Sequence, residues 1–297
     1  MMIISTEEEK GAICNLISKA KTASVLISAA MLVHALLHTV SPLILAHFTG
    51  TWQTLFSMLL TVLRLGIPSV LIIYGSRRFS LPMYDGGMDC SNSELFAVFV
   101  AAFTGIYLFG LAYSLVFPSV PLRELYCGSA LQRILSAVLI TVMPAALEEL
   151  LMRRLIMGRL AVYNQSASLI ISSLIFALMH FSPEKFPYAF VCGLIIGAAY
   201  LKTGSLAVVV AVHFANNFTA YVSGFVSCTF SGKVYTAVSV CFTALCVILA
   251  AFSVPKILRM MKRDTRDSVS ETGAAELITP ALVVYMAAAI VRQFFFM

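Results

Sequence analysis

Hydrophobic positions run in long, nearly uninterrupted blocks along most of the chain, and polar residues concentrate between the blocks. A helix needs about 20 apolar residues to cross the hydrocarbon core of a bilayer. We therefore predict a membrane helix in each long apolar block. The blocks lie at about 23–48, 52–75, 94–118, 130–160, 166–181, 187–202, 205–226, 234–254 and 276–297.

The predicted fold is all-α, a polytopic transmembrane helical bundle of about eight spans. A ninth span is added if the last block crosses the membrane; with Glu276 and Arg292 near its ends, it could instead lie at the interface. Pro144 lies inside the block 130–160. It either kinks one helix or begins a second one, because proline lacks the N–H that continues a helix.

The succession of blocks and loops suggests four parts of the chain. They are a cytoplasmic N-terminal segment at 1–22, membrane helices at 23–120, a core at 121–230, and C-terminal membrane helices with a basic loop at 231–297. The polar stretch 264–275 is predicted to be a flexible loop.

Composition agrees with a membrane-embedded chain. Hydrophobic residues make up 60% and charged residues 11%, with a mean hydropathy of +0.93, whereas soluble domains are about one-quarter charged. The net charge is +6, but the basic residues fall in loops and form no stripe with interleaved aromatics, which argues against nucleic acid. The seven cysteines form no CxxC pair, which argues against a disulfide framework.

Lysine and arginine positions predict the orientation. With the N-terminus in the cytoplasm, cytoplasmic loops hold most of these residues, including the basic cluster at 256–266. The first block follows an acidic start without a small-residue cleavage site, so we expect an uncleaved anchor. The short loops are typical of a bacterial plasma-membrane protein.

Three polar clusters interrupt the apolar blocks, and ionisable residues at membrane depth are functional candidates because burying them is costly. In the first cluster, Glu149 and Arg153 are four residues apart and share a helix face. Glu149 is thus expected to stay ionised, whereas Glu148 has no such partner and remains free to exchange protons. The alternative is a salt-bridged helix end at the interface.

The other two clusters each contain a histidine. Phe176 and His180 are four apart, so the ring could restrict the imidazole, although a lone histidine is more often an interface or core residue. His213 and Asn217 share a face and could polarise a carbonyl, bind a metal or simply join two helices. Asn216 is expected to point elsewhere.

Further features are compatible with packing. Gly193 and Gly197 form a small-xxx-small face that permits close helix approach. His34 and His38 could bind a metal but more often serve packing, and Arg64 is expected to snorkel or pair within the bundle. The HExxH, GxSxG and Walker A motifs are absent.

Together the clusters resemble the motifs of the CPBP intramembrane proteases, relatives of the type II CAAX prenyl endopeptidases and of Abi-like bacteriocin-processing and immunity proteins. The matching residues are Glu148, Glu149 and Arg153 in the first motif, Phe176 and His180 in the second, and His213 and Asn217 in the third. Among them Glu149, Arg153 and Phe176 take supporting positions. One departure is Arg154, where many relatives have glycine.

This resemblance implies a helical bundle with a water-filled cavity and an endopeptidase acting on a membrane-embedded or lipidated peptide. It implies that Glu148 and His180 activate water and that His213 and Asn217 hold the oxyanion. In a metal-dependent version, His180, His213 and Glu148 would bind Zn²⁺; otherwise no cofactor is needed. The predicted boundaries place Glu148 near mid-helix but His180 at the end of a short helix, so the two must converge.

Two further alternatives remain. Prenylated CAAX proteins are the expected substrates in a eukaryote, whereas a bacterial member would process a peptide, mature a bacteriocin or confer immunity. Buried glutamate and histidine also serve proton relays, so a proton-coupled transporter or a non-catalytic scaffold is the competing function.

Overall fold

The computed structural model describes residues 7–118, 126, 129–263 and 274–295, and all nine predicted blocks are helical within these ranges. The helices are α1 (Glu7–Leu45), α2 (Gly50–Arg78), α3 (Asn92–Val116), α4 (Ala130–Leu160), α5 (Gln165–Leu178), α6 (Phe186–Thr203), α7 (Leu206–Thr229), α8 (Gly232–Arg263) and α9 (Pro280–Phe295). The all-α helical bundle is thereby confirmed.

Seven of the described helices are long and apolar enough to cross a membrane. The exceptions are α5, with 14 residues, and α9, with 16. At 1.5 Å per residue, α5 extends for only about 21 Å, short of the roughly 30 Å hydrocarbon core. The first helix begins at Glu7, well before its predicted start at 23, because the polar residues that precede the apolar block continue the same helix.

Side-chain caps explain several helix starts. Asn164 accepts a hydrogen bond from the backbone N–H of Ala167 at 2.8 Å, which satisfies an N–H group at the start of α5. Ser205 does the same for Val208 at 3.3 Å at the start of α7. Between α6 and α7, Gly204 has a φ of +64°, the left-handed conformation that favours glycine at a helix end.

The nine described helices pack against one another as a bundle. Helix α1 lies against α2 and α9, α3 lies against α6, α7 and α8, and α4 contacts α2 and α7. The pair α5 and α6 is especially close: a Cβ built on Gly193 would lie 3.0 Å from the Cα of Ser173. The predicted close approach along the glycine face is therefore confirmed at Gly193.

Helix α4 carries two π-helical segments, Val138–Val142 and Leu150–Met157. These wider turns are rare and often occur at functional sites. The helix continues through Pro144, which follows directly after the first π segment. The helix therefore runs through Pro144 without a break, and no separate helix begins there.

The loop from 79 to 91 is attached to the ends of α4 and α6. The backbone N–H of Tyr84 donates to the carbonyl of Gly158 at 2.7 Å, and that of Met88 donates to Lys202 at 2.9 Å. These bonds fix one end of the bundle. Most of the predicted flexible loop at 264–275 lies outside the described residues.

Candidate active site

A cavity of about 420 Å³ opens inside the bundle, and its lining includes Glu148, His180, His213 and Asn217. These residues come from α4, from the turn after α5 and from α7. The structure therefore brings to one cavity the four residues predicted to act in catalysis. The supporting residues Glu149, Arg153 and Phe176 are buried next to them.

Glu149 forms a buried three-residue network. Its Oε2 accepts a hydrogen bond from Nε of Arg153 at 2.9 Å, and both side chains are fully buried. Its Oε1 lies 2.7 Å from Nδ1 of His213 on α7. The predicted pairing of Glu149 with Arg153 is present, and the carboxylate additionally orients the imidazole of His213.

Phe176 lies at the centre of these side chains. Its ring centroid is 5.0 Å from that of His180 and 5.9 Å from that of His213, both in edge-to-face arrangements. The guanidinium carbon of Arg153 lies 5.5 Å from the same centroid. One aromatic ring thus separates the arginine from the two imidazoles and restricts how each can rotate.

His180 lies just beyond the last turn of α5. Its Nδ1 is 2.7 Å from the carbonyl oxygen of Phe176, and because a carbonyl only accepts, Nδ1 carries the proton. In a neutral ring Nε2 is then a free acceptor. The sequence placed Glu148 near mid-helix and His180 at a helix end. Because α5 is short, its end lies beside the middle of α4, and both residues line the same cavity.

Glu148 is half-buried, and its Oε2 is buried without a hydrogen-bond partner among the residues that the structure describes. Its position four residues on is Met152, which offers no cation. A buried carboxylate oxygen without a partner is costly. A carboxylate oxygen without a protein partner can instead accept a hydrogen bond from water or substrate.

Asn217 is held by a chain of three hydrogen bonds. The hydroxyl of Tyr188 donates to Oδ1 of Asn216 at 2.8 Å, Nδ2 of Asn216 donates to Oδ1 of Asn217 at 3.3 Å, and Nδ2 of Asn217 donates to the carbonyl of Ile140 at 3.3 Å. Pro144 has no N–H to give to this carbonyl four residues earlier. The expectation that Asn216 points elsewhere was wrong, because its side chain turns towards Asn217.

The remaining polar lining comes mainly from α1 and α2. It consists of Ser41, Ser57, Thr61, Arg64 and Lys185, the last from the turn before α6. The guanidinium Nη2 of Arg64 donates to Oγ1 of Thr61 at 3.0 Å. The cavity therefore holds two cations beside the carboxylate of Glu148.

Residues 130–219 match the family model described as type II CAAX prenyl endopeptidase Rce1-like. Over these residues the chain is similar to that family, and we call 130–219 the Rce1-like core. The match covers all three motifs but less than a third of the chain, and it confirms the resemblance to the CPBP family. With its apolar helices, the chain is a multi-pass membrane protein whose core is similar to CAAX-type intramembrane proteases. No curated protein and no solved structure matches it.

The Rce1-like core does not assemble the alternative metal-ligand set. No group of three histidine, cysteine, aspartate or glutamate side chains is placed to hold a metal within the described part of the chain. In His180, Nδ1 is bonded to the carbonyl of Phe176, and in His213 it is bonded to Glu149. These bonds fix the orientation of each ring and leave its Nε2 for the cavity.

The pair His34 and His38, for which metal binding was an alternative, packs against the residue after His180. Their ring centroids lie 5.9 and 4.8 Å from that of Phe181. Nδ1 of His38 accepts a hydrogen bond from Arg292 of α9 at 2.8 Å. This is a packing arrangement, and it brings α9 close to the Rce1-like core.

Proposed function

We propose that this protein hydrolyses a peptide bond of a membrane-embedded or lipidated substrate. The observation that carries the proposal is the buried, unpartnered Oε2 of Glu148 in a cavity shared with His180, His213 and Asn217. A carboxylate, two imidazoles and an amide can supply a base and oxyanion donors. The Rce1-like match over 130–219 supports the same reaction.

In this mechanism, Glu148 and Nε2 of His180 bind the attacking water and accept its proton. The bond from Nδ1 of His180 to the carbonyl of Phe176 leaves Nε2 free as an acceptor. The proton is then returned to the leaving amine. Glu148 lines the cavity, and its Oε2 has no hydrogen-bond partner among the described residues.

His213 and Asn217 stabilise the negative charge that develops on the scissile carbonyl oxygen. Nδ1 of His213 bonds to Glu149, so the imidazolium form would direct Nε2–H towards the cavity. Nδ2 of Asn217 uses one hydrogen for the carbonyl of Ile140 and has a second one for the oxyanion. Both donors are fixed before the substrate binds, as electrostatic stabilisation of a transition state requires.

The test is cleavage of a quenched fluorescent peptide library by the purified protein in lipid. Glu148→Gln and His180→Ala should each lower kcat by about 10²- to 10⁴-fold. Glu276→Gln is the matched control, because Glu276 forms a partly exposed ion pair with Lys21, and such a pair contributes little. Both chelator-treated and untreated protein should cleave at the same rate.

Cleavage that survives Glu148→Gln would disprove this role for the carboxylate. A loss of cleavage with chelator that Zn²⁺ restores would instead support the metal-dependent version. If both variants kept the protein's biological activity, the non-catalytic scaffold would be favoured.

A further inference from the structure

Arg64 is an ionisable residue in the middle of α2, and its side chain lines the cavity with Glu148 and His180. An arginine at membrane depth is costly unless it has a partner or a function. Among the residues that the structure describes, no carboxylate lies within ion-pair distance of Arg64, whose hydrogen bond runs to Thr61. By contrast, the fully buried Arg153 has its own carboxylate, that of Glu149.

The chemistry of the guanidinium indicates what could bind there. It offers five N–H donors in a planar fork that matches the two oxygens of a carboxylate. The bond from Nη2 to Oγ1 of Thr61, one turn earlier, restricts the rotation of the side chain and leaves the other donors available. Ser57 and Lys185 in the same lining add a further hydroxyl and a further positive charge.

The charges that line the cavity predict how a bound peptide would be oriented. Glu148 on α4 repels an anion, whereas Arg64 on α2 attracts one. A peptide with a carboxylate would therefore place that group on the α2 side of the cavity. Its scissile carbonyl would then lie towards His213 and Asn217, which also line the cavity.

We propose that Arg64 is a specificity residue that binds a carboxylate of the peptide substrate, either its C-terminus or an aspartate or glutamate side chain near the scissile bond. This inference rests on the proposed hydrolytic function, which it makes more specific. Arg64 is half-buried, so the ion pair contributes to binding more than a fully exposed surface pair would. Arg64 holds the substrate and takes no part in proton transfer.

The experiment compares two pairs of peptides of otherwise identical sequence, presented to the full-length protein in lipid. One pair differs in a C-terminal carboxylate or carboxamide, and the other in a glutamate or glutamine beside the cleaved bond. Wild type, Arg64→Gln and Arg64→Lys are measured. The control is Arg133→Gln, since Arg133 is an exposed arginine of α4 outside the cavity lining.

Wild type should prefer one acidic peptide over its neutral counterpart by about tenfold or more in kcat/KM, mainly through KM, the size expected for a hydrogen bond to a charged group. Arg64→Gln should abolish this preference, because its kcat/KM for the acidic peptide should fall to that for the neutral peptide. Arg64→Lys should keep part of the preference, because it keeps the charge but loses the fork. The pair that shows the preference identifies which carboxylate is bound.

Equal cleavage of acidic and neutral peptides by wild type would overturn the proposal while leaving the hydrolytic function intact. An equal loss on both peptides in Arg64→Gln would also overturn it, because Arg64 would then act on Glu148 or on the fold. Binding of the same peptides to proteins with Glu148→Gln, with and without Arg64→Gln, gives a second readout that needs no turnover. If no peptide is cleaved, the proposed function fails, and this binding difference still decides the role of Arg64.

Discussion

Two neighbouring arginines of α4 allow a direct measurement of what burial does to an ion pair. Arg153 and Arg154 each have a nitrogen 2.9 Å from a carboxylate oxygen, that of Glu149 and that of Asp85 respectively. The side chains of the first pair are 0% exposed, whereas those of the second are 38% and 82% exposed. The two pairs therefore share chemistry and helix position and differ in their access to water.

We expect Arg153→Met to lower the free energy of unfolding by about 3–5 kcal/mol, because it removes one partner of the fully buried ion pair with Glu149. Arg154→Met should lower it by only about 0–1 kcal/mol, the contribution of an exposed pair. Methionine is a good helix former, so helix propensity changes little in either variant. The double variant Glu149→Gln with Arg153→Met should recover much of the loss, since glutamine carries no charge and still accepts from His213.

The assay is unfolding by increasing sodium dodecyl sulfate in mixed micelles, followed by circular dichroism for all four proteins. Equal losses for Arg153→Met and Arg154→Met would refute the reasoning. So would a double variant that is no more stable than Arg153→Met alone, because the loss would then not come from the buried charge of Glu149.

Two further predictions concern packing and the positioning of Asn217. Gly193→Ala should lower the free energy of unfolding by about 1–3 kcal/mol, because its Cβ would lie 3.0 Å from the Cα of Ser173. A Cβ at Gly66 would meet no neighbouring helix within 4 Å among the described residues, so Gly66→Ala should be neutral or raise stability by up to about 1 kcal/mol. Equal effects of the two substitutions would contradict the close approach of α5 and α6. Tyr188→Phe removes the donor to Asn216 and should lower kcat about fivefold with little change in KM, as expected for the loss of one hydrogen bond; unchanged kcat in peptide cleavage would exclude this positioning role.

Sequence alone predicted the features that depend on local spacing. The apolar blocks identified the helices, and the four-residue interval between Glu149 and Arg153 anticipated their ion pair, because residues at this interval share a helix face. The same argument left Glu148 without a partner, as the structure has it among the described residues.

Contacts between helices could not be read from spacing. The bond between Glu149 and His213 joins residues 64 positions apart, and only the packing of α4 against α7 brings them together. Tyr188 and Asn216 were missed for the same reason, although an amide beside Asn217 was a visible signal. Arg64 was noticed as a polar interruption, but its place in the cavity depends on how α2 meets α4.

The position of His180 depends on the number of residues in α5 and not only on which residues they are. The helix begins at the Asn164 cap and leads to His180 directly after its last turn. One inserted residue would rotate everything beyond it by about 100° and shift it by about 1.5 Å. Because Asn164 fixes one end and the turn at Phe181, with its φ of +48°, follows the other, such a change cannot be absorbed by sliding. Between Asn164 and Phe181, substitutions leave the position of His180 unchanged. An insertion or a deletion of one residue would turn its imidazole away from Glu148.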